Sequence, residues 1–194
     1  MKDTLIEALQ RYPVFTVREM AQVLGKSSSY AYLVAYRLKK SGVIQEIERG
    51  KYTRETDPFL IASWILWPSY LSGWAALQYH HLTEQLPFTL QVITTRKRNK
   101  KSLRFHGTSI EFSTIRKAAF TGFKKIMYQN REIFIAEPEK AIVDGLRFET
   151  MSFPEAQEII GAQRRKINKR KLFRYAKLIS LAPQLRAQLK RVFT

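Results

Sequence analysis

Apolar residues recur at helical spacing in the first part of the chain. The spacing predicts an amphipathic helix over Lys2–Tyr12, which Pro13 ends because proline cannot continue a helix. A second helix is predicted to open at Thr16, where Glu19 stands three residues later and completes a capping box. Gly25 supplies the left-handed conformation that stops a helix sharply.

A third helix and two short strands follow. Ser27–Ser29 offer N-cap hydroxyls for a helix that runs to about Ser41, before a glycine. Val43–Ile47 alternates like a strand, Glu48–Lys51 predicts a tight turn, and Tyr52–Thr53 returns as a second strand. Helix, helix, turn, helix and a two-stranded wing is the winged helix-turn-helix pattern. We therefore predict such a DNA-binding domain over residues 1–57.

Residues 58–150 mix helical and strand-like spacing and predict an α+β domain. The predicted helices are Phe59–Trp67 begun by Asp57-Pro58, Gly73–Leu82 capped by Ser72, and Glu137–Phe148. The predicted strands are Leu90–Thr94, Leu103–His106, Ile110–Ile115 and a hairpin of Phe123–Tyr128 with Glu132–Ala136. Helices flanking a mainly antiparallel sheet are typical of this class.

Residues 151–194 predict a basic helical extension packed on the second domain. Ser152 and Glu155 form another capping box, which starts a helix to about Ile160. The stretch from Arg164 to Ile179 has an apolar face and outward cations, and a last helix is predicted after Pro183. The fold class predicted for the whole chain is α+β.

The charge balance points to a polyanionic partner. Thirty-four Lys and Arg against sixteen Asp and Glu give a net charge of +18. Counted along the sequence, residues 1–57 carry 10 basic and 7 acidic residues (+3), residues 58–150 carry 13 and 7 (+6), and residues 151–194 carry 11 and 2 (+9). Such an excess favours nucleic acid, because each neutralised phosphate releases counterions. Basic surfaces also occur on proteins that merely avoid aggregation.

The third helix and the wing carry the predicted DNA contacts. Hydroxyls and tyrosines on the helix side opposite the buried stripe can reach base edges and phosphates, while cations hold the backbone. These residues are Ser27, Ser28, Ser29, Tyr32, Tyr36, Lys39 and Lys40 on the helix, with Arg49 and Lys51 on the wing. The same surface would also suit a protein-docking module, since exposed tyrosines are common at interfaces.

Two cation-rich segments are predicted as further phosphate contacts. The first lies between two predicted strands and the second precedes and enters the basic helix. The residues are Arg96, Lys97, Arg98, Lys100, Lys101, and then Arg164, Arg165, Lys166, Lys169, Arg170 and Lys171. A solvated surface is the alternative for both, and the second would also suit RNA.

The sequence gives little support for catalysis. Adjacent His80 and His81 cannot face the same side of a helix, and no third ligand stands at a metal-like spacing. The chain lacks cysteine, a phosphate-binding glycine loop and a nucleophile elbow. Asp144 is interpreted as a helix cap or a salt-bridge partner, with a lone active-site acid as the alternative. We predict no catalytic residue, no metal and no cofactor.

Several short motifs resemble the AbiEi family of antitoxins and transcriptional regulators. They occur in a shared order, and together they span most of the chain through about residue 150. The motifs are Arg49–Tyr52, Pro68–Ser72, Ala75–Leu77, His80–Pro87 and Glu139–Asp144. One departure is His81, which stands where the family is expected to have a small residue, usually glycine.

The resemblance implies a function that periodicity and charge do not. It implies a repressor of its own operon that binds double-stranded DNA at inverted repeats. It further implies a type IV antitoxin that counteracts a nucleotidyltransferase-like toxin without a stable complex. In this family the first domain binds DNA, and the second carries the antitoxic activity and aids DNA binding.

Two other readings stay open, and a cytoplasmic protein is expected in each. The chain shows no signal peptide and no membrane-length apolar run, and it lacks cysteine. One alternative is an RNA-binding protein or nucleic-acid enzyme that uses the basic C-terminal helices. The other is a regulator whose aromatic pocket, lined by Trp64, Trp67 and Trp74, holds a small effector.

Overall fold

A computed structural model describes Leu5, Glu7, Leu9 and residues 12–85 and 87–193. The helix predicted over Lys2–Tyr12 therefore lies largely outside the described residues. Leu5, Glu7 and Leu9 are helical, and the two leucines are buried.

The N-terminal module, residues 12–57 together with the three residues above, combines helices with a small antiparallel sheet. Its helices are α1 (Val17–Leu24) and α2 (Ser28–Lys40), and its strands are β1 (Phe15–Thr16), β2 (Gln45–Glu48) and β3 (Lys51–Thr53). The strand order is β1-β3-β2. The two helices are joined by a short turn and followed by the β2–β3 hairpin, which is the order that the sequence predicts.

Local signals place these two helices where they were expected. Thr16 and Glu19 form the predicted capping box at the start of α1, and Gly25 ends the helix at φ +60°. Ser27 caps α2 by accepting a hydrogen bond from the backbone N–H of Tyr30 at 3.3 Å. Apolar side chains of both helices meet in one small core, which includes Met20, Ala31, Ala35 and Leu38.

The rest of the described chain builds one six-stranded sheet covered by helices. The strands are β4 (Ser69–Ser72), β5 (Thr89–Thr94), β6 (Ser102–Phe105), β7 (Thr108–Thr114), β8 (Phe123–Tyr128) and β9 (Arg131–Ala136). The helices are α3 (Pro58–Ala62), α4 (Gly73–Tyr79), α5 (Pro138–Arg147), α6 (Phe153–Ala162), α7 (Lys169–Leu178) and α8 (Pro183–Val192), with a 3-10 turn at Lys117–Ala119.

The sheet is mixed: antiparallel pairs predominate, as the sequence predicts, but two of its five strand pairs are parallel. The strand order is β6-β7-β5-β4-β9-β8. The β5–β7 and β4–β9 pairs are parallel, and the three other pairs are antiparallel. The sequence did not predict β4, the central strand that separates β5 from the β8–β9 hairpin.

The segment around β4 departs from prediction in two ways. The helix expected over Phe59–Trp67 ends at Ala62, because the chain turns there to bring β4 into the sheet. Ser72 was expected to cap α4 with its side chain, but it makes no such bond. Its hydroxyl instead donates to Asp144 at 2.8 Å, since the end of a buried strand faces α5.

The C-terminal helices share the large core of the sheet. The buried residues Ile160, Leu172 and Ala176 belong to the same cluster as the sheet strands. The predicted basic helix begins later than expected, because Asn168 caps α7 and residues 164–166 lie in turns. The capping box at the start of α6 is present as predicted.

The N-terminal module packs at one end of the six-stranded sheet. Arg131, at the start of β9, pairs with Glu55 at 3.2 Å. The parallel strand β4 begins at this same end, and its first residue, Ser69, pairs with Thr94 at the end of β5. The loop of residues 95–101 therefore leaves the sheet beside the N-terminal module.

Candidate nucleic-acid interface

The outer face of α2 is exposed and rich in hydroxyl groups. Ala31, Ala35 and Leu38 point into the small core, which turns the opposite side of the helix to solvent. Tyr32 and Tyr36 lie one turn apart on that side and are 51% and 60% exposed. The predicted residues Ser27, Ser28, Ser29, Lys39 and Lys40 are also exposed. The structure thus places all seven predicted helix residues at the surface.

Two further exposed residues of α2 were not singled out from the sequence. Leu33 is 45% exposed and is the third large apolar side chain that this helix turns to solvent. Arg37 is exposed and follows Tyr36 directly. The helical period would have identified both, since Leu33 lies three positions before Tyr36 and Arg37 three positions before Lys40.

Lys39 holds the hairpin as well as facing solvent. Its ammonium pairs with Glu46 on β2. The hydrogen bond with Lys39 lowers the pKa of the Glu46 carboxyl below its ordinary value. Glu46 also accepts from the backbone N–H of Gly50 at 3.3 Å, so it shapes the hairpin turn. At the tip of that turn, Arg49 is exposed.

Lys51 is bound to its own hairpin and to the segment between α3 and β4. It pairs with Glu48 at 2.9 Å and donates to the backbone carbonyl of Ile65. Its side chain is only 25% exposed. These partners connect the hairpin to the second part of the chain, and the predicted DNA contact of Lys51 stays untested.

Arg98 occupies a similar structural position. Its guanidinium makes a two-pronged ion pair with Glu48, with one N–O distance of 3.1 Å, and lies 4.2 Å from the ring centroid of Phe112. Burial raises the pKa of Glu48, but the hydrogen bonds from Arg98 and Lys51 outweigh it, so the net pKa lies below its ordinary value. Arg98 therefore fixes the hairpin against the sheet.

The remaining cations of this loop lie beside the hairpin and face solvent. Because Arg98 forms an ion pair with Glu48, the loop of residues 95–101 lies close to the β2–β3 hairpin. Arg96, Lys97, Lys100 and Lys101 are all exposed. The structure thus brings these four predicted phosphate contacts next to the N-terminal module.

The C-terminal cations lie elsewhere on the molecule. Lys171 pairs at 2.9 Å with Glu137, the residue that follows β9 at the end away from Arg131. A six-residue strand spans roughly 17 Å at about 3.3 Å per residue. Arg164, Arg165, Lys166, Lys169 and Arg170 are exposed in this region. Arg164 also donates to the Phe193 carbonyl at 3.2 Å.

Asp144 lies in a buried polar cluster, not in a cleft. It is fully buried, pairs with Lys140, and accepts hydrogen bonds from Tyr70 at 3.0 Å and Ser72 at 2.8 Å. Burial raises the pKa of the Asp144 carboxyl, opposed by Lys140. These hydrogen bonds and the ion pair connect α5 to β4.

The histidine pair ends α4 in a Schellman motif. The backbone N–H groups of His81 and Leu82 donate to the carbonyls of Gln78 at 2.9 Å and Leu77 at 3.0 Å. His81 has φ +54°, the conformation that glycine adopts most easily. A small residue is therefore expected at this position, and His81 occupies it in spite of its side chain.

The side-chain chemistry of the described residues offers no metal centre. No group of three His, Asp or Glu side chains in residues 12–85 and 87–193 is arranged to hold a metal ion. No helix within the described ranges is long and apolar enough to cross a membrane.

Comparison with known families finds a match in the N-terminal part of the chain. Residues 3–54 match the family described as transcriptional regulator, AbiEi antitoxin. Over residues 3–54 this match confirms the resemblance that the sequence analysis found, and it supports a role as a regulator or antitoxin. The AbiEi family is one of regulators and antitoxins, not of enzymes. No curated protein is significantly similar to the chain.

The AbiEi match ends where the hairpin ends. It covers α1, α2 and the β2–β3 hairpin. The motifs Pro68–Ser72, His80–Pro87 and Glu139–Asp144 lie outside it, so their relation to the family stays a prediction. Leu86, within one of these motifs, lies outside the described residues.

Proposed function

We propose that this protein is a sequence-specific DNA-binding repressor that acts through a winged helix-turn-helix. The observation that carries the proposal is the exposed face of α2, within the segment that matches a transcriptional regulator family. In the proposed complex, α2 enters the major groove. Its serine and tyrosine hydroxyls contact base edges, and Leu33 packs against thymine methyl groups.

The hairpin and the adjacent loop would hold the DNA backbone. Arg49 at the hairpin tip and the exposed loop cations Arg96, Lys97, Lys100 and Lys101 flank the helix on the side of the sheet. In this proposal Lys51 and Arg98 position the wing through Glu48 instead of contacting phosphate. The second part of the chain thereby aids DNA binding without entering a groove.

Binding to the promoter region of its own gene tests the proposal. Seven exposed cations (Arg37, Lys40, Arg49, Arg96, Lys97, Lys100 and Lys101) could neutralise phosphates. If roughly six or seven do so, the affinity should fall by about 10³- to 10⁴-fold between 50 and 200 mM salt. Equal affinity for the natural and a scrambled sequence at physiological salt would refute a sequence-specific regulator.

Variants of α2 distinguish sequence-specific DNA binding from non-specific electrostatic binding. Tyr32→Ala should narrow the difference between operator and scrambled DNA, because a base contact is worth about 1–3 kcal/mol of discrimination. Met127→Ala is the matched control, since Met127 is 62% exposed on β8 and plays no part in the proposed interface. If both variants keep the preference of the parent protein, α2 does not read bases.

We further propose that the protein represses its own operon and is a type IV antitoxin. The family match supports this role. Coexpression with a nucleotidyltransferase-like protein encoded beside it should restore growth that the toxin alone inhibits. Persistent toxicity with a well-expressed antitoxin, or the absence of such a neighbouring gene, would remove this part of the proposal while leaving the repressor intact.

RNA binding by the C-terminal cations is the second candidate. It rests on five exposed cations that lie at the other end of the sheet from the N-terminal module (Arg164, Arg165, Lys166, Lys169 and Arg170). Replacing these residues with glutamine should abolish tRNA binding but leave operator binding nearly unchanged. Loss of operator binding instead would assign this patch to DNA.

A further inference from the structure

A cleft of about 560 Å³ lies between the N-terminal module and the sheet. One wall consists of Thr16 and Glu19 at the start of α1 and Lys51 of β3, and the other includes Trp64 and Trp67. Its volume falls within the range of small-molecule sites, which occur preferentially between domains. The cleft is thus too small for a folded partner and touches both parts of the chain.

Aromatic rings form the inner surface of this cleft. Trp67 is 54% exposed, and its ring centroid lies 4.9 Å from that of Phe134. Trp64 is held in place, since its indole N–H donates to the carbonyl of Glu132 at 2.6 Å. A large, half-exposed indole in a concave site provides a flat apolar surface for a planar ligand.

Most charged groups of the cleft are already paired. Glu19 accepts hydrogen bonds from the Thr16 hydroxyl and backbone, and Lys51 is bound to Glu48 and Ile65. Lys125 and Glu132 pair with each other at 2.9 Å.

Arg96 differs from these groups. Its backbone is fixed by hydrogen bonds with Thr94 at 3.1 Å and Thr114 at 3.2 Å, while its side chain is exposed. Within the part of the chain that the structure describes, no carboxylate lies at ion-pair distance from its guanidinium. A planar guanidinium beside an aromatic wall is suited to bind a carboxylate or a phosphate.

We propose that this cleft binds a small planar aromatic anion. The ring would stack on the exposed Trp67, and Phe134, whose ring is tilted by 59° from the indole, would contact its edge. The acidic group would pair with Arg96. Trp64 and Trp67 share this cleft, whereas Trp74 lines a different pocket, so the effector site suggested by three tryptophans is reduced to two.

The proposed site also bears on DNA binding, and this part rests on the proposed function. Arg96 would be shared between the ligand and a DNA phosphate, so the two anions compete. Saturation of the cleft should therefore weaken operator binding, by at least about fivefold if the coupling is of ordinary size. Because linkage is reciprocal, operator DNA should weaken ligand binding by the same factor.

Isothermal titration calorimetry of the full chain, without DNA, tests the site. The probes are indole-3-carboxylate and AMP, with indole-3-carboxamide and adenosine as neutral analogues. Indole-3-carboxylate tests whether the ligand is an aromatic carboxylic acid, and AMP tests whether it is a nucleotide. We expect at least one anion to bind in the micromolar range and its neutral analogue to bind at least tenfold more weakly.

Variants identify the cleft as the place of binding. Arg96→Gln should weaken binding of the anion at least tenfold without affecting binding of the neutral analogue. Trp67→Ala should weaken binding of both. Arg104→Gln, a change at an exposed arginine on β6 that does not line the cleft, should leave the binding of both unchanged. Failure of both anions below 1 mM, equal binding of anion and neutral analogue, or unchanged binding in the Arg96 and Trp67 variants would overturn the proposal.

The operator measurement then distinguishes the two proposals. If the ligand binds and the protein shows no preference for operator DNA, the repressor fails and the cleft stands. If both bind independently, the site stands and the competition through Arg96 is wrong.

Discussion

Replacing Arg98 with alanine tests whether the second part of the chain fixes the hairpin of the N-terminal module. The substitution removes both hydrogen bonds to Glu48 and the contact with the ring of Phe112. The two side chains of the ion pair are only 11% and 20% exposed, so water replaces the lost partner poorly. Lys51 would remain as the partner of Glu48.

The expected loss can be worked from these contacts. Charge-assisted hydrogen bonds contribute about 1.5–3 kcal/mol, and a cation over an aromatic ring about 0.5–1 kcal/mol when partly exposed. Together they predict that Arg98→Ala lowers the free energy of unfolding by about 2–4 kcal/mol. Lys97→Ala is the matched control on the same loop, and should change it by no more than about 0.5 kcal/mol because Lys97 is exposed.

A double-mutant cycle isolates the ion pair from the ring contact. Urea unfolding of Glu48→Gln, Arg98→Ala and the double variant at pH 7 should give a coupling energy of about 1–2 kcal/mol. Since the pKa of folded Glu48 lies below its ordinary value, this contribution is present above the unfolded pKa of about 4.3 and is lost as the pH falls through the folded pKa. A coupling below about 0.5 kcal/mol at pH 7, typical of a solvated surface pair, would refute the reasoning.

Three further predictions concern the buried charges, a crowded glycine and the hairpin tip. Lys140→Met and Asp144→Asn should each lower the free energy of unfolding by about 3–5 kcal/mol because each leaves a buried partner unpaired; a double variant as unstable as the sum of the two would contradict this. Gly122→Ala should lower the free energy of unfolding by about 2–4 kcal/mol. Gly122 has φ +80°, which alanine adopts poorly, and the new Cβ would lie 2.6 Å from a ring carbon of Tyr175. Gly161→Ala, whose Cβ meets nothing within 4 Å inside α6, should instead raise the free energy of unfolding by about 0.5–1 kcal/mol in the same melts. Arg49→Ala should reduce the salt slope of operator binding by about one with unchanged stability, and an unaltered slope would exclude a phosphate contact there.

Local signals were sufficient to predict α1, α2 and the β2–β3 hairpin of the N-terminal module, but not β1. The capping box of Thr16 and Glu19, the stop at Gly25 and the cap at Ser27 act within one helical turn. Such signals depend on neighbours in sequence, so they survive without knowledge of the fold. The exposed side of α2 follows from the same period, since a buried stripe of alanines and a leucine leaves only one side for tyrosines.

The central strand β4 could not be predicted in the same way. Ser69–Ser72 has no alternation of polar and apolar residues, because both faces of this short strand are buried. Without it, the parallel β4–β9 pairing, which joins the two halves of the sheet, cannot be anticipated. The same segment ends α3 early, because the chain leaves the helix to enter the sheet.

The sequence by itself determined the helices and turns of the N-terminal module, the amphipathic stripes and the surplus of positive charge, because each depends on residue type and short spacing. Only the tertiary structure decided which cations face solvent. Arg98 lies in the same basic segment as Lys97, and Lys51 in the same one as Arg49. Only Arg98 and Lys51 form ion pairs with Glu48, so they are less exposed than their neighbours. Ion pairs between distant segments depend on how strands are ordered in space, and spacing along the chain carries no record of that order.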